Sequence, residues 1–154
     1  MPDQTLAVNR RARHDYTIDE TLEAGLVLTG TEIKSLRAGK ASLAEAYARV
    51  ERGEAWLIGA HIAEWTGASR SNHEPRRPRK LLLHRSQIAH LGGATQAKGF
   101  TLVPLRIYTT EKGHAKVELG LGRGKKLYDR RREIAARDAR RAMDRDLAEA
   151  SRRR

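Results

Sequence analysis

The sequence predicts a mainly β domain followed by a basic, helix-prone tail, and three observations carry that expectation. Between Asp15 and about Leu121, stretches of β-forming apolar residues alternate with turn signals at short intervals. Two short segments with helical spacing interrupt this pattern. Beyond Gly124 the composition changes to charged residues and alanine, with no aromatic after Tyr128.

Taken in order, the strand candidates are Leu22 to Leu28, Tyr47 to Glu51, Ala55 to Ile62, Arg79 to Leu83, Phe100 to Tyr108 and Ala115 to Leu121. Arg52-Gly53 and Lys112-Gly113 are the expected tight turns, because glycine takes the left-handed conformations such turns demand. Thr31 can cap a short helix that puts Ile33 and Leu36 on one face, and Gly39 can end it. Ser86 likewise precedes Ile88 and Leu91, with Gly92-Gly93 as the stop. Several short strands with a helix between them suit a closed or partly open barrel of the oligonucleotide-binding type rather than a flat sandwich. The expected organisation is a flexible N-terminus over 1–8, the barrel over 9–124 and the tail over 125–154.

Thr66 to Arg79 is polar and punctuated by Pro75 and Pro78, which predicts a long surface loop, mobile without a partner. The final segment, 125–154, holds twelve Lys/Arg and six Asp/Glu, half the net charge of the chain in its last fifth. It cannot close a core of its own. Ile134, Ala139, Ala142, Met143, Leu147 and Ala150 nevertheless recur at helical spacing, and Glu133 with Arg137 makes a favourable i,i+4 pair. This predicts a latent helix, disordered when free and helical when bound.

The 154 residues suffice for one domain with tails, and 31 Lys+Arg against 19 Asp+Glu give a formal net charge of +12. Such a balance calls for a polyanionic partner. No apolar run approaches the roughly 18 residues of a membrane-spanning helix, and Met1-Pro2-Asp3-Gln4 lacks the order of a secretory signal, so no membrane partner and a cytoplasmic location are expected. The absence of cysteine removes disulfides, thiolate zinc sites and a cysteine nucleophile. Six histidines form no HExxH or His-x-His arrangement, so neither metal nor cofactor is expected. His73 reads as a polar loop residue, with contact to the polyanion as the alternative.

Cations cluster at Arg10, Arg11 and Arg13, from Lys34 to Lys40, from Arg76 to Lys80, and from Lys125 onward. Each alone is an ordinary solvated face; together, on a barrel, they point to a nucleic acid, with Lys and Arg supplying phosphate contacts rather than sequence readout. Tyr16 and Tyr128 lie beside basic runs and can stack on bases, although Tyr16 equally suits a half-buried strand position. Trp56 and Phe100 fit the core. Gly120-Leu121-Gly122-Arg123-Gly124-Lys125-Lys126 lacks the full phosphate-loop spacing, since Lys126 stands where a metal-chelating hydroxyl belongs, and reads as a hinge into the tail.

In sequence order, Asn9-Arg10-Arg11-Ala12-Arg13-His14-Asp15-Tyr16, Glu23 to Lys40 with Gly30-Thr31-Glu32-Ile33-Lys34-Ser35-Leu36-Arg37 at its centre, and Arg79-Lys80-Leu81-Leu82-Leu83-His84 form the first part of a recognisable pattern. Lys98 to Leu105, Val117 to Leu121 and Gly124-Lys125-Lys126-Leu127-Tyr128-Asp129-Arg130-Arg131 complete it. Over about Asn9 to Ala142 the chain resembles the bacterial SsrA-binding (small protein B) family. It departs from that pattern at Arg130, where Lys is usual, at Glu74 for Asp and at Pro78 for Thr.

The resemblance implies an oligonucleotide-binding-type barrel with short flanking helices, and no catalysis. It implies binding to the tRNA-like domain of transfer-messenger RNA and delivery of that RNA to the A site of a stalled ribosome for trans-translation. The tail would then lie in the decoding centre and empty mRNA channel, and elongation factor Tu would be met indirectly on the aminoacylated RNA. Carried over by position, the RNA-binding residues are Asn9, Arg13, Tyr16, Glu23, Lys34, Leu83 and Lys116. The ribosome-binding residues are Lys125, Lys126, Tyr128, Asp129, Arg130 and Arg131. Two rivals stand beside this expectation: a general rRNA-binding or ribosome-assembly module, and an RNA-processing enzyme, which the missing acid–base or metal cluster disfavours.

Overall fold

The computed structural model describes residues 4–67, 72–97 and 99–152; the side chains of 97, 125–136, 151 and 152 lie outside that description. The main strands are β1 (Gln4–Val8), β2 (Tyr16–Leu26), β4 (Tyr47–Glu51), β5 (Glu54–Ile58), β7 (Arg79–Leu82), β8 (Thr101–Thr109) and β9 (Ala115–Gly124). They form an antiparallel sheet in the order β1-β8-β4-β5-β7-β2-β9. Strand β9 pairs with both β2 and β8, so the sheet closes on itself and β1 is left outside on β8. Closure satisfies the backbone groups that an open sheet would leave on its edges. Two-residue strands β3 (Ala41–Ser42) and β6 (His61–Ile62) pair separately.

The barrel is filled by inward residues of alternating strand positions, among them Leu57, Leu81, Leu102, Ile107, Val117 and Leu119, all essentially inaccessible. Helices α2 (Gly30–Arg37) and α3 (Arg85–Ala97) add Leu36 and Leu91 to this cluster. Short α1 (Ala12–Asp15) sits beside a smaller apolar group of Ala12, Val103 and Leu105.

Arg52 and Gly53, with φ of 53° and 75°, make the predicted turn between β4 and β5. Gly113, at φ 80°, sits in the β8–β9 turn. Several expectations change. Gln4–Val8, part of the stretch expected to be a flexible N-terminus, pairs along β8 from Gln4↔Thr109 to Val8↔Arg106; its ordering comes from that pairing, not from an apolar pattern of its own. Strand β2 starts at Tyr16 rather than Leu22, because a bulge between Ile18 and Glu20 breaks the register in which alternation is legible.

The cap of α2 is Thr29, not Thr31: its hydroxyl accepts from the Glu32 amide, while Glu32 Oε1 accepts from the Thr29 amide at 2.9 Å, a reciprocal capping box. Gly92-Gly93 does not stop α3, which runs on to Ala97. A Cβ on Gly92 would lie 3.4 Å from Val50 Cγ1, so glycine lets the helix approach β4 closely. Trp56 and Phe100 are half-buried rather than central. The C-terminal segment forms one helix, α4 (Lys125–Arg152), that follows β9 without a loop, and its side chains from Arg137 to Ala150, Met143 and Leu147 included, are all exposed.

Candidate nucleic-acid interface

The register of β8, β9 and β2 brings charged residues from distant parts of the chain onto one face. Glu118 of β9 lies opposite both Glu23 of β2 and Arg106 of β8, while Lys116 lies opposite Gly25 and Tyr108. Arg106 Nε donates to Glu118 Oε2 at 2.8 Å and its Nη1 donates to Thr5 Oγ1 at 3.0 Å. The same guanidinium lies 4.2 Å from the centre of the Tyr108 ring. Arg13 reaches Glu118 from α1, with Nη2 3.9 Å from Oε1. Lys116 Nζ donates to Glu23 Oε1. That bond, followed by a hydrogen bond from the Tyr108 hydroxyl, holds the exposed Glu23 carboxyl below the ordinary glutamate range.

Arg13, Glu23 and Lys116, three of the residues singled out from sequence, therefore belong to one network. Leu83 follows directly on Leu82, which pairs with Gly25, so it lies at the same end of β2. Lys34 is exposed on α2. The neighbouring Arg37 of that helix comes close to the β8–β9 turn, 3.6 Å from the place a Gly113 Cβ would take.

Asn9 is anchored on the barrel. Its amide Nδ2 donates to the Pro104 carbonyl at 3.1 Å and its backbone N–H to the Leu105 carbonyl at 2.8 Å, so it ties the approach to α1 onto β8. Tyr16 stands apart from the network, at the opposite end of β2, paired with Gly124. There it lines a cavity of about 790 Å³ with Arg10, Arg11 and His14, at the root of α4. Lys125, Lys126, Tyr128, Asp129, Arg130 and Arg131 all fall in α4, and their side chains lie outside the described residues.

The basic run from Arg76 to Lys80 is largely committed within the fold. Glu32 and Arg79 are fully buried, and Arg79 Nε donates to Glu32 Oε2 at 2.6 Å. Arg79 also donates to the carbonyls of Ala60, at 2.6 Å, and Pro75, at 3.0 Å, while Arg77 pairs with the other Glu32 oxygen. Burial alone would raise the Glu32 carboxyl, but hydrogen bonds from Arg77, the Thr29 amide and Arg79 outweigh it and keep the group ionised. His73, expected as a polar loop residue, is buried: Nε2 lies 2.8 Å from the Ile62 carbonyl oxygen and Nδ1 2.9 Å from Thr31 Oγ1.

Of the connection from Thr66 to Arg79, 68–71 lie outside the described residues. Asn72 closes its base by accepting from the Trp65 amide at 3.0 Å and donating to the Trp65 carbonyl at 2.9 Å. Among the described residues no group of three or more His, Asp or Glu is placed to hold a metal, and no helix is long and apolar enough to cross a membrane.

A family model described as SmpB protein matches residues 6–149. The chain belongs to the SmpB family. It is 58% identical to the SsrA-binding protein of Thermobifida fusca over 144 residues, 94% of this chain and 89% of that one. It is 54% identical to the SsrA-binding protein of Desulforudis audaxviator over 151 residues, 98% of this chain and 95% of the relative. Among solved structures it resembles a chain described under "tmRNA-SmpB: a journey to the center of the bacterial ribosome", with a TM-score of 0.65 and 56% identity over 77% of this chain and 82% of that one. As a member of the SmpB family, the chain adds residues that sequence reasoning had missed. Arg106, Tyr108 and Glu118 escape notice because cross-strand register alone joins them to Glu23. Glu32 had a local signal, the Thr29-x-x-Glu32 capping spacing, but its burial against Arg79 did not.

Proposed function

We propose that this chain binds the tRNA-like domain of transfer-messenger RNA through the barrel face and brings that RNA to the A site of stalled ribosomes. The observation that carries the reading is the 56% identity to a chain solved in a tmRNA–SmpB ribosome context. The local chemistry agrees with it. Arg13, Lys34 and Lys116 supply cations for phosphates, and Leu83 offers apolar contact. The Glu23 carboxylate can accept from a base amino group or a ribose hydroxyl. Asn9, anchored on β8, belongs to the same RNA-binding set. Tyr16, with Arg10 and Arg11, faces RNA near the root of the tail.

The tail reading assigns Lys125, Lys126, Tyr128, Asp129, Arg130 and Arg131, with the helix behind them, to the decoding centre and the empty mRNA channel. An exposed helix of high positive charge is marginal in water and gains order on a polyanion. The protein acts without catalysis, in the cytoplasm, and meets elongation factor Tu only through the charged RNA.

A competition gel shift tests the first part: transfer-messenger RNA should displace labelled complex at far lower concentration than ordinary tRNA, and equal potency would refute it. Truncation after Gly124 should preserve this binding and abolish peptide tagging on stalled ribosomes. Joint loss of both, or retention of both, would contradict the division of labour. Sequencing of co-purified RNA separates this reading from a general rRNA-binding module.

A further inference from the structure

We propose that Tyr108 is a positioning residue for RNA recognition: its hydroxyl, reaching out of the barrel wall, fixes the Glu23 carboxylate that meets the RNA. The inference rests on the proposed RNA-binding role of Glu23 and adds a residue that does not itself touch the ligand.

Tyr108 is 3% exposed, and phenylalanine in its place would keep the apolar ring and lose only the hydroxyl. A buried phenol needs a hydrogen-bond partner, and here the partner is a surface carboxylate on a strand that β8 does not pair with. Register makes this possible. Tyr108 lies opposite Lys116, Lys116 lies opposite Gly25, and Glu23 is two residues along β2 on the same face.

Glu23 and Glu118 sit directly opposite each other, a placement that repels unless each has its own cations. Arg106 and Arg13 take Glu118, leaving Glu23 to Lys116 and Tyr108. The Arg106 guanidinium over the Tyr108 ring adds positive potential beside the phenol. A carboxylate offers about four acceptor positions. Two donors on the one carboxylate, Lys116 and Tyr108, narrow the orientations of Glu23 and leave its remaining acceptor positions for a ligand. That matters for an acceptor addressed to amino or hydroxyl donors, because phosphates carry no such donors and a misdirected carboxylate would only repel them.

The test is a double-mutant cycle of Tyr108→Phe and Glu23→Gln in the full chain, read as affinity for transfer-messenger RNA, with thermal melting to verify folding. Tyr108→Phe should weaken binding by about tenfold, the scale of one hydrogen bond to a charged group. The dependence of affinity on salt should keep its slope, because no phosphate contact is removed. Glu23→Gln should weaken binding at least as much, and adding Tyr108→Phe to it should do no further harm. In the free protein, the carboxyl carbon of Glu23 followed by NMR should titrate at higher pH in Tyr108→Phe, since a donor to the ionised form is gone. Independent, additive losses would overturn the proposal, as would an unmoved Glu23 titration. If Glu23→Gln binds normally, the RNA-contacting role of Glu23 falls, and the proposal with it. If Glu23→Gln is impaired while Tyr108→Phe is not, only the positioning role falls.

Discussion

Replacing Glu32 by Gln should destabilise this protein strongly although it exchanges a single heavy atom. The side chain keeps its volume, and its carbonyl can still accept from the Thr29 amide, as Glu32 Oε1 does at 2.9 Å. What disappears is the negative charge between Arg77 and the fully buried Arg79, whose Nε lies 2.6 Å from Glu32 Oε2. Breaking a buried ion pair from one side leaves the other charge uncompensated and costs about 3–5 kcal/mol. For a chain of 154 residues, at about 2–4 °C per kcal/mol, the melting temperature should fall by roughly 6–20 °C. Urea titration gives the free energy directly, and Trp65, held against Asn72 at the base of the clasped loop, reports on the same region by fluorescence. A second substitution, Arg79→Met, should recover much of the loss by removing the orphaned charge. A shift below about 2 °C for Glu32→Gln, or no recovery in the double variant, would refute the reasoning that this pair ties α2 to the start of β7.

Other outcomes follow from the same geometry. Because the folded protein holds the Glu32 carboxyl below its ordinary value, its contribution is complete above the unfolded glutamate pKa of about 4.3 and is lost as pH falls through the lower folded value. The stability gap between the parent and Glu32→Gln should therefore be constant near neutrality and close in acid; a gap that widens on acidification would contradict the assignment. Gly59→Ala should lose about 1–2 kcal/mol for its left-handed backbone alone. At φ +77°, a Cβ there would also stand 2.8 Å from the Glu45 carbonyl oxygen, and chemical denaturation measures the sum. A peptide of residues 125–154 should show low helicity by circular dichroism in buffer and gain helix on ribosomes, since its described apolar side chains find no partner in the fold. A stable helix in the isolated peptide would disprove that.

Strands β4, β5, β7, β8 and β9 are legible in the sequence to within a few residues, because Arg52-Gly53 and Gly113 punctuate them and each carries a compact run of β-forming apolar residues. The first half of β2 is not, since its bulge interrupts the period, and β1, exposed over most of its length, carries no alternating apolar signal. Charge clusters were legible as composition but not as availability. Nothing near Arg79 in the sequence distinguishes a guanidinium bound for the interior from its neighbours Arg76 and Lys80, because its partner Glu32 lies 47 residues away. The candidate site shows the same division. Arg13, Glu23 and Lys116 stand out through the family pattern, whereas Arg106, Tyr108 and Glu118 become functional candidates only once the strands are laid side by side.

The direct passage from β9 into α4 has a mechanical consequence. With no loop between them, the heading of the helix is inherited from the last residues of a strand pinned on both sides, by Tyr16 of β2 and Thr101 of β8. At 28 residues and 1.5 Å per residue the helix extends about 42 Å when fully formed. Tilting its root by about 10° sweeps the far end through roughly 7 Å of arc over that length. Small adjustments where the barrel is gripped would thus reappear, magnified, at the tip, and the molecule can gauge one surface by how it sits on another.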